Sequence, residues 1–251
     1  MFDAHAHLDF PEFDADRDAV LERAQARGVR GVVVPGVDEA SWERARRLGF
    51  PYCVGVHPQW LQEDERDPAA IEAALRADPG AVGVGETGLD ARVDVPAERQ
   101  RAVFEAHLRA AAARSLPVVL HVVGRHGAAL AILERHAPLR GMVHGFSGAP
   151  EVARRYLALG LHLSFGGLVT RPRALKARAA ATAVPLERLL VETDSPSAPP
   201  DGAFAERNEP SLLPLVVEAL AALRGETSEL VGERTEANAR ALFGLVARAR
   251  G

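Results

Sequence analysis

The sequence predicts an α/β fold and, within that class, a (β/α)8 TIM-type barrel in a single domain. Three observations predict it. Eight short runs rich in β-branched and other apolar residues alternate with longer, alanine-rich amphipathic stretches, the order produced by parallel strands and right-handed crossovers. The 251 residues suit one barrel of this kind or two small domains. No linker, low-complexity tract or short repeat divides them, so residues 1–251 read as one unit.

The predicted strands are Phe2–His5, Gly31–Pro35, Tyr52–His57, Ala81–Glu86, Pro117–His121, Gly141–His144, Leu161–Phe165 and Leu189–Glu192. Helices are predicted near 16–28, 39–48, 67–77, 97–115, 126–136, 149–159, 172–181, 211–224 and 228–247. The stretch 97–115 shows the reasoning. Val103, Phe104, His107, Leu108 and Ala111 share one helical face, while Arg99, Arg101, Glu105 and Arg109 occupy the other. Ser195–Pro210, rich in Pro, Ala, Asp and Glu, has no periodicity and reads as a long loop over the upper face. A doubly wound open sheet is the competing arrangement.

Composition narrows the function. Apolar residues make up 47% and charged residues 25% of the chain, which excludes disordered and fibrous classes. A single cysteine, Cys53, excludes an internal disulfide and a multi-thiolate zinc site. The opening MFDAHAHLDF carries acids and histidines where a signal peptide needs basic residues and an apolar run. No run approaches the length of a membrane span. A cytoplasmic protein with no membrane association and no obligate protein partner is expected. The net charge of −4 gives no global attraction for nucleic acid, although a local basic rim or bound metal ions could supply one. Nearly all the cations are arginine, Lys176 being the only lysine, as a GC-rich genome would produce.

In a barrel the reactive groups gather at the C-terminal strand ends. His5 and His7, His57, Glu86, His121, His144 and Asp194 all fall at or just beyond such ends. His5 and His7 are two apart, so a strand turns both rings to one face. Four imidazoles (His5, His7, His121, His144) and two carboxylates (Glu86, Asp194) suffice for two divalent ions with positions left for water. Mixed nitrogen and oxygen donors suit Zn, Mn, Ni, Fe or Co, with Mg where oxygen dominates. Two-metal barrels often bridge their ions with a carboxylated lysine on the fourth strand. Lys176 lies in a predicted helix, which leaves Glu86 as the bridge. The other histidines, His107, His126, His136 and His162, read as packing residues. So does Cys53, and Trp60 reads as packing before base stacking. Glu192 reads as an interior carboxylate supporting the site.

The segments DAHAHLDF from Asp3, VGVHP from Val54, VGVGETGLD from Val82, LPVVLH from Leu116, VHGFSG from Val143, LLVETDSP from Leu189, RNEP from Arg207 and EANARALFG from Glu236 resemble the TatD family of metal-dependent deoxyribonucleases, in the family's order and over nearly the whole chain. The resemblance implies a metal-dependent hydrolase barrel over residues 1–251. It implies one ion on His5, His7, Glu86 and Asp194, and a second on Glu86, His121 and His144. It implies that Asp194, with Glu86 the catalytic pair, takes a proton from the attacking water. It places His57, Arg207 and Glu209 on the substrate side. It also implies single-stranded DNA as partner and substrate, cleaved from 3′ ends. There are departures. After the fifth strand the family's H-S-R-D-A is His121-Val122-Val123-Gly124-Arg125-His126, so Arg125 is the available replacement for a displaced phosphate contact. The usual aromatic after G-L-D is Ala91. The altered loop after the fifth strand keeps hydrolysis of a small lactone, amide or phosphoester as the alternative. Base deamination fits poorly with an acid at Glu86. A non-catalytic scaffold would bury unpaired charges at a cost.

Overall fold

Runs such as Val118–Val123 and Leu189–Val191 are buried along almost their whole length, as strands covered on both faces must be. The computed structural model describes residues 1–62, 64–203 and 207–245. Six strands, β1 (Cys53–Val54), β2 (Gly83–Asp90), β3 (Val118–Val123), β4 (Gly141–Val143), β5 (His162–Phe165) and β6 (Leu189–Val191), pair in parallel in chain order. Between and after them run α1 (Arg17–Ala26), α2 (Glu39–Arg47), α3 (Pro68–Ala77), α4 (Ala97–Arg114), α5 (His126–Glu134), α6 (Pro150–Ala158), α7 (Leu175–Ala183), α8 (Leu213–Arg224) and α9 (Ser228–Phe243). Every predicted helix is present within a few residues. The end of the last one, 246–247, lies outside the described residues.

The first two predicted strands are the exception: they form isolated parallel bridges, Asp3 to Val32 and Val34 to Tyr52, rather than ladders. They nonetheless complete the circuit. The Ala4 amide donates to the Val191 carbonyl at 3.0 Å and the Val33 amide to the Asp3 carbonyl at 3.0 Å. The ladder is lost for a local reason. The Asp3 carboxylate accepts the His5 and Thr193 amides, displacing backbone acceptors. Further along, Gly36 pairs with β2 directly: the Glu86 amide donates to the Gly36 carbonyl at 2.7 Å, which leaves β1 only two residues long.

Three predicted strand ends need correction: Tyr52–His57 stops at Val54, and two others run on. β2 runs on to Asp90 and β3 to Val123, so Glu86 and His121 lie inside their strands. Between Val84 and Thr87 the β2–β3 register shifts, because one extra residue is accommodated in β2. That irregularity falls at Gly85-Glu86. A Cβ on Gly85 would lie 2.4 Å from the Val119 carbonyl oxygen, so only glycine permits the approach, and its φ of +143° suits glycine alone.

The interior is filled below the site by Phe2, Ala4, Val33, Cys53, Val119, Met142 and Leu190, closed underneath by Leu242 and Phe243 of α9. Alternation then carries the next inward positions upward: His121 follows Val119 by two residues, His144 follows Met142, and Glu192 follows Leu190. An apolar plug thus becomes a polar rim within one strand step.

Candidate metal and active site

Glu86 is fully buried at the centre of five imidazoles. Its two oxygens face different partners. Oε2 lies 3.2 Å from His5 Nε2 and 3.5 Å from His7 Nε2. Oε1 lies 2.8 Å from His144 Nε2, 2.9 Å from His121 Nδ1 and 3.4 Å from His57 Nε2. Asp194 Oδ1 stands 3.6 Å from both His5 Nε2 and His7 Nε2. All six residues expected as metal ligands, and His57, therefore meet at one end of the barrel.

The hydrogen-bond partners on the outer edges of the rings decide which nitrogen faces inward. His121 Nε2 lies 3.0 Å from Asp90 Oδ2. As a carboxylate only accepts, Nε2 carries the hydrogen and Nδ1 turns its lone pair to the cluster. His144 Nδ1 faces Glu192 Oε1 at 3.5 Å without a hydrogen bond, and its Nε2 points inward to Glu86 Oε1. His121 Nδ1 and His144 Nε2 are 2.9 Å apart, both against Glu86 Oε1. Three bare lone pairs in so small a triangle would repel one another, so a proton or a divalent cation has to lie among them. His57 differs, because its Nδ1 accepts the Gln59 amide, which places its hydrogen on Nε2.

Asp90 itself was missed by sequence reasoning. Its backbone is pinned by Gln100, which accepts the Asp90 amide and donates to the Asp90 carbonyl. Its carboxylate also takes the Arg92 amide and guanidinium. The only available signal was the G-L-D segment, and a strand thought to end at Glu86 gave Asp90 no route to the site. Glu192 is buried and accepts the Gly145 amide at 2.5 Å.

The electrostatics follow from burial and neighbours. Burial opposes ionisation of Glu86, but His144, His57 and His5 overcome it and hold the carboxyl well below its usual range. Burial pushes His57 down to about 3, so it is neutral. His144 and His121, also desolvated, are raised by their carboxylates. The residues fit divalent ions. His5 Nε2 and Glu86 Oε2 are buried without hydrogen-bond partners. The triads His5–His7–Glu86 and His5–His144–Glu192 each bring donor atoms within 4.8 Å; His57 lies equally close to Glu86 and His121 but has no free lone pair. Imidazole with carboxylate is the donor set of borderline divalent metals.

Asp194 adopts φ +57°, a left-handed conformation that aspartate tolerates better than most residues. Its amide donates to the His5 carbonyl at 2.9 Å. Thr193, held by both oxygens of the buried Asp3, fixes the approach. Burial raises Asp3 to about 7.

The chain matches the family model described as TatD related DNase over residues 2–244. It belongs to the TatD family. It is 35% identical to the uncharacterized metal-dependent hydrolase YjjV of Escherichia coli K12, covering 98% of each chain. It is 36% identical to the 3′-5′ ssDNA/RNA exonuclease TatD of Erwinia billingiae, over 98% of this chain and all of that one. The crystal structure of E. coli YjjV superposes with a TM-score of 0.90 at 34% identity, over 97% and 98% of the two chains. A TatD family hydrolase from Entamoeba histolytica shares the fold at 18% identity, with a TM-score of 0.86 over 98% of each chain. The chain is accordingly a TatD family metal-dependent hydrolase.

The other residues expected near substrate have these partners. Arg207 stacks over Phe13 at 4.4 Å and bonds to Asp16 and the Glu12 carbonyl. Glu209 pairs with Arg23 through both oxygens. Both tie the loop after Asp194 to α1. Arg125, the residue before α5, makes no ion pair or side-chain hydrogen bond among the described residues, and its Nε is buried without a partner. Trp60 lies 5.4 Å from His57 and 6.0 Å from Phe10, which stacks on His7 at 4.6 Å. His107 and His126 are hydrogen-bonded packing residues. No helix among the described residues is long and apolar enough to cross a membrane.

Proposed function

We propose that the protein is a divalent-metal-dependent phosphodiesterase that removes nucleotides from the 3′ ends of single-stranded DNA in the cytoplasm. One observation carries the two-metal part of this reading. The two oxygens of Glu86 face separate histidine sets, His5 with His7 on one side and His121 with His144 on the other. Asp194 completes the first set. The E. billingiae relative named as a 3′-5′ exonuclease supports the choice of substrate.

His5, His7, Glu86 and Asp194 would hold one divalent ion and Glu86, His121 and His144 a second, and such ions would supply a water of lowered pKa and neutralise charge on the phosphoryl oxygens. The protein's own groups divide the remaining work by exposure. Glu86, 2% exposed and held ionised by its imidazoles, keeps its charge and does not take up a proton near neutral pH. Asp194, with a quarter of its side chain exposed, is the carboxylate that incoming water meets, and it accepts the proton. His57 offers Nε2–H to a substrate oxygen, since Nδ1 is already engaged. Asp90 accepts the His121 Nε2 hydrogen and so turns Nδ1 inward, while Glu192 lies beside His144 Nδ1 at 3.5 Å. Arg125, with no carboxylate partner, is the cation available to a phosphate beside β3.

The test is metal-free protein reloaded with Mg, Mn, Zn or Co and offered end-labelled single- and double-stranded DNA, RNA, a lactone and bis(p-nitrophenyl) phosphate. Loss of mononucleotides from the 3′ end of single strands is expected, stopped by EDTA. Intact DNA beside a cleaved lactone overturns the reading in favour of carbonyl hydrolysis.

A further inference from the structure

The chain carries net charge −4, yet one segment of its upper rim is purely basic. From Gly166 to Leu186 there is no acid, while Arg171, Arg173, Lys176 and Arg178 fall within eight residues of one another. Lys176 is the only lysine of the protein. The segment leaves the C-terminal end of β5, the end at which Glu86, His121 and His144 converge. Gly166 leaves β5 against the wall of the site, where a Cβ would lie 3.3 Å from Glu192 Cγ. Its neighbour across the rim is the loop that follows Asp194. The Asp201 amide donates to Thr170 Oγ1 at 2.7 Å and the Arg171 guanidinium to the Pro199 carbonyl at 3.3 Å. Arg178 is committed inward to the Val169 carbonyl. Arg173 and Lys176 are exposed and make no ion pair or side-chain hydrogen bond among the described residues, Asp201 included. Beside them Leu175 is 73% exposed.

We infer that Arg171, Arg173 and Lys176 form a track for the phosphate backbone of a single DNA strand whose 3′ end lies between Glu86 and Asp194; the inference rests on the nuclease reading above. An acidic enzyme repels a polyanion at long range. A short unpaired cationic strip beside the reacting end reverses that locally and holds the strand by counterion release. Exposed Leu175 gives a base an apolar surface between two phosphate contacts. The strip acts on strands long enough to reach it and leaves small diesters indifferent, so it sets a preference for polymer over dinucleotide.

The experiment compares wild type with R173Q/K176Q, neither of whose side chains bonds to the fold, and with R173E/K176E. Metal-loaded protein is titrated into a labelled, cleavage-resistant phosphorothioate oligonucleotide between about 50 and 200 mM salt, the range over which phosphate contacts register. Hydrolysis of bis(p-nitrophenyl) phosphate is followed in parallel. The neutral variant is expected to bind the oligonucleotide several-fold more weakly. Its log–log salt slope should be flatter by about 1.4, two single-strand contacts' worth. The charge-reversed variant should bind weaker still, with the loss confined to the oligonucleotide. Unchanged affinity and slope, equal losses on both substrates, or no oligonucleotide binding by wild type overturns the track. Wild-type binding with the expected slope but no cleavage of natural DNA supports the track and overturns the nuclease reading alone.

Discussion

Asp90 stands behind the cluster that Glu86 centres, and its effect is transmitted through a single hydrogen. By accepting His121 Nε2–H it selects which nitrogen of that ring faces Glu86 and His144. Asp90→Ala should leave His121 free to rotate or change tautomer. The expected result is a metal affinity about 10- to 100-fold lower at the His121 side, as for other outer carboxylates behind ligand imidazoles, read by metal titration with the His5 side retained. Asp194→Asn is nearly isosteric but cannot accept a proton from water. Turnover should fall on the order of 10²–10⁴-fold, with an unchanged circular dichroism spectrum; activity within a few-fold of wild type would remove Asp194 as the base. His5 and His7 were legible because period two turns both rings to one face. Asp90 was not, because its reach depends on β2 running four residues past Glu86. The motif that suggested Arg207 and Glu209 is intact, but no sequence pattern shows that Asp16 and Arg23 of the α1 region engage them.

Among the elements, the helices were the more legible, because amphipathic spacing over nine or more residues survives local detail. The strands near 2–5 and 31–35 were read as regular, but side-chain and crossing backbone bonds at Asp3 and Gly36 replaced their ladders. No periodicity encodes such substitutions. The register shift at Gly85-Glu86 is of the same kind, and it lets Glu86 reach the centre. α4 is joined to the strand layer by a buried group outside the site. His107 Nε2 accepts the Val56 amide at 2.9 Å, and Nδ1–H donates to the Val103 carbonyl at 2.7 Å. Burial depresses this imidazole from 6.5 to about 4. The unfolded chain therefore binds the proton first as pH falls. The stability that follows is fully present above pH 6.5 and lost on the way down to pH 4, by about 3 kcal/mol for this group. Urea unfolding at several pH values should show wild type weakening more steeply over that window than His107→Gln. Parallel curves would mean that His107 does not titrate on unfolding.

For the whole molecule, closing the barrel matters because the candidate site draws on six of its eight strand segments, the first and the last included. His5 and His7 come from the first segment, His57 from beyond β1, Glu86 and Asp90 from β2, His121 from β3, His144 from beyond β4, and Glu192 and Asp194 from beyond β6. The Ala4–Val191 amide bond brings the first and last of these together. Alternation of strand and helix made the architecture legible, and strand-end histidines made the site legible. The charge distribution around the rim was not, because net charge conceals an acid-free segment. Glu86 is proposed to serve two ions at once, and anomalous diffraction from crystals of metal-loaded wild type and Glu86→Ala separates that arrangement from a single-ion site. Two ions sharing the Glu86 carboxylate in wild type, with occupancy lost at both positions in the variant, is the predicted result. A single ion in fully loaded wild type, or two full ions persisting without Glu86, would contradict it.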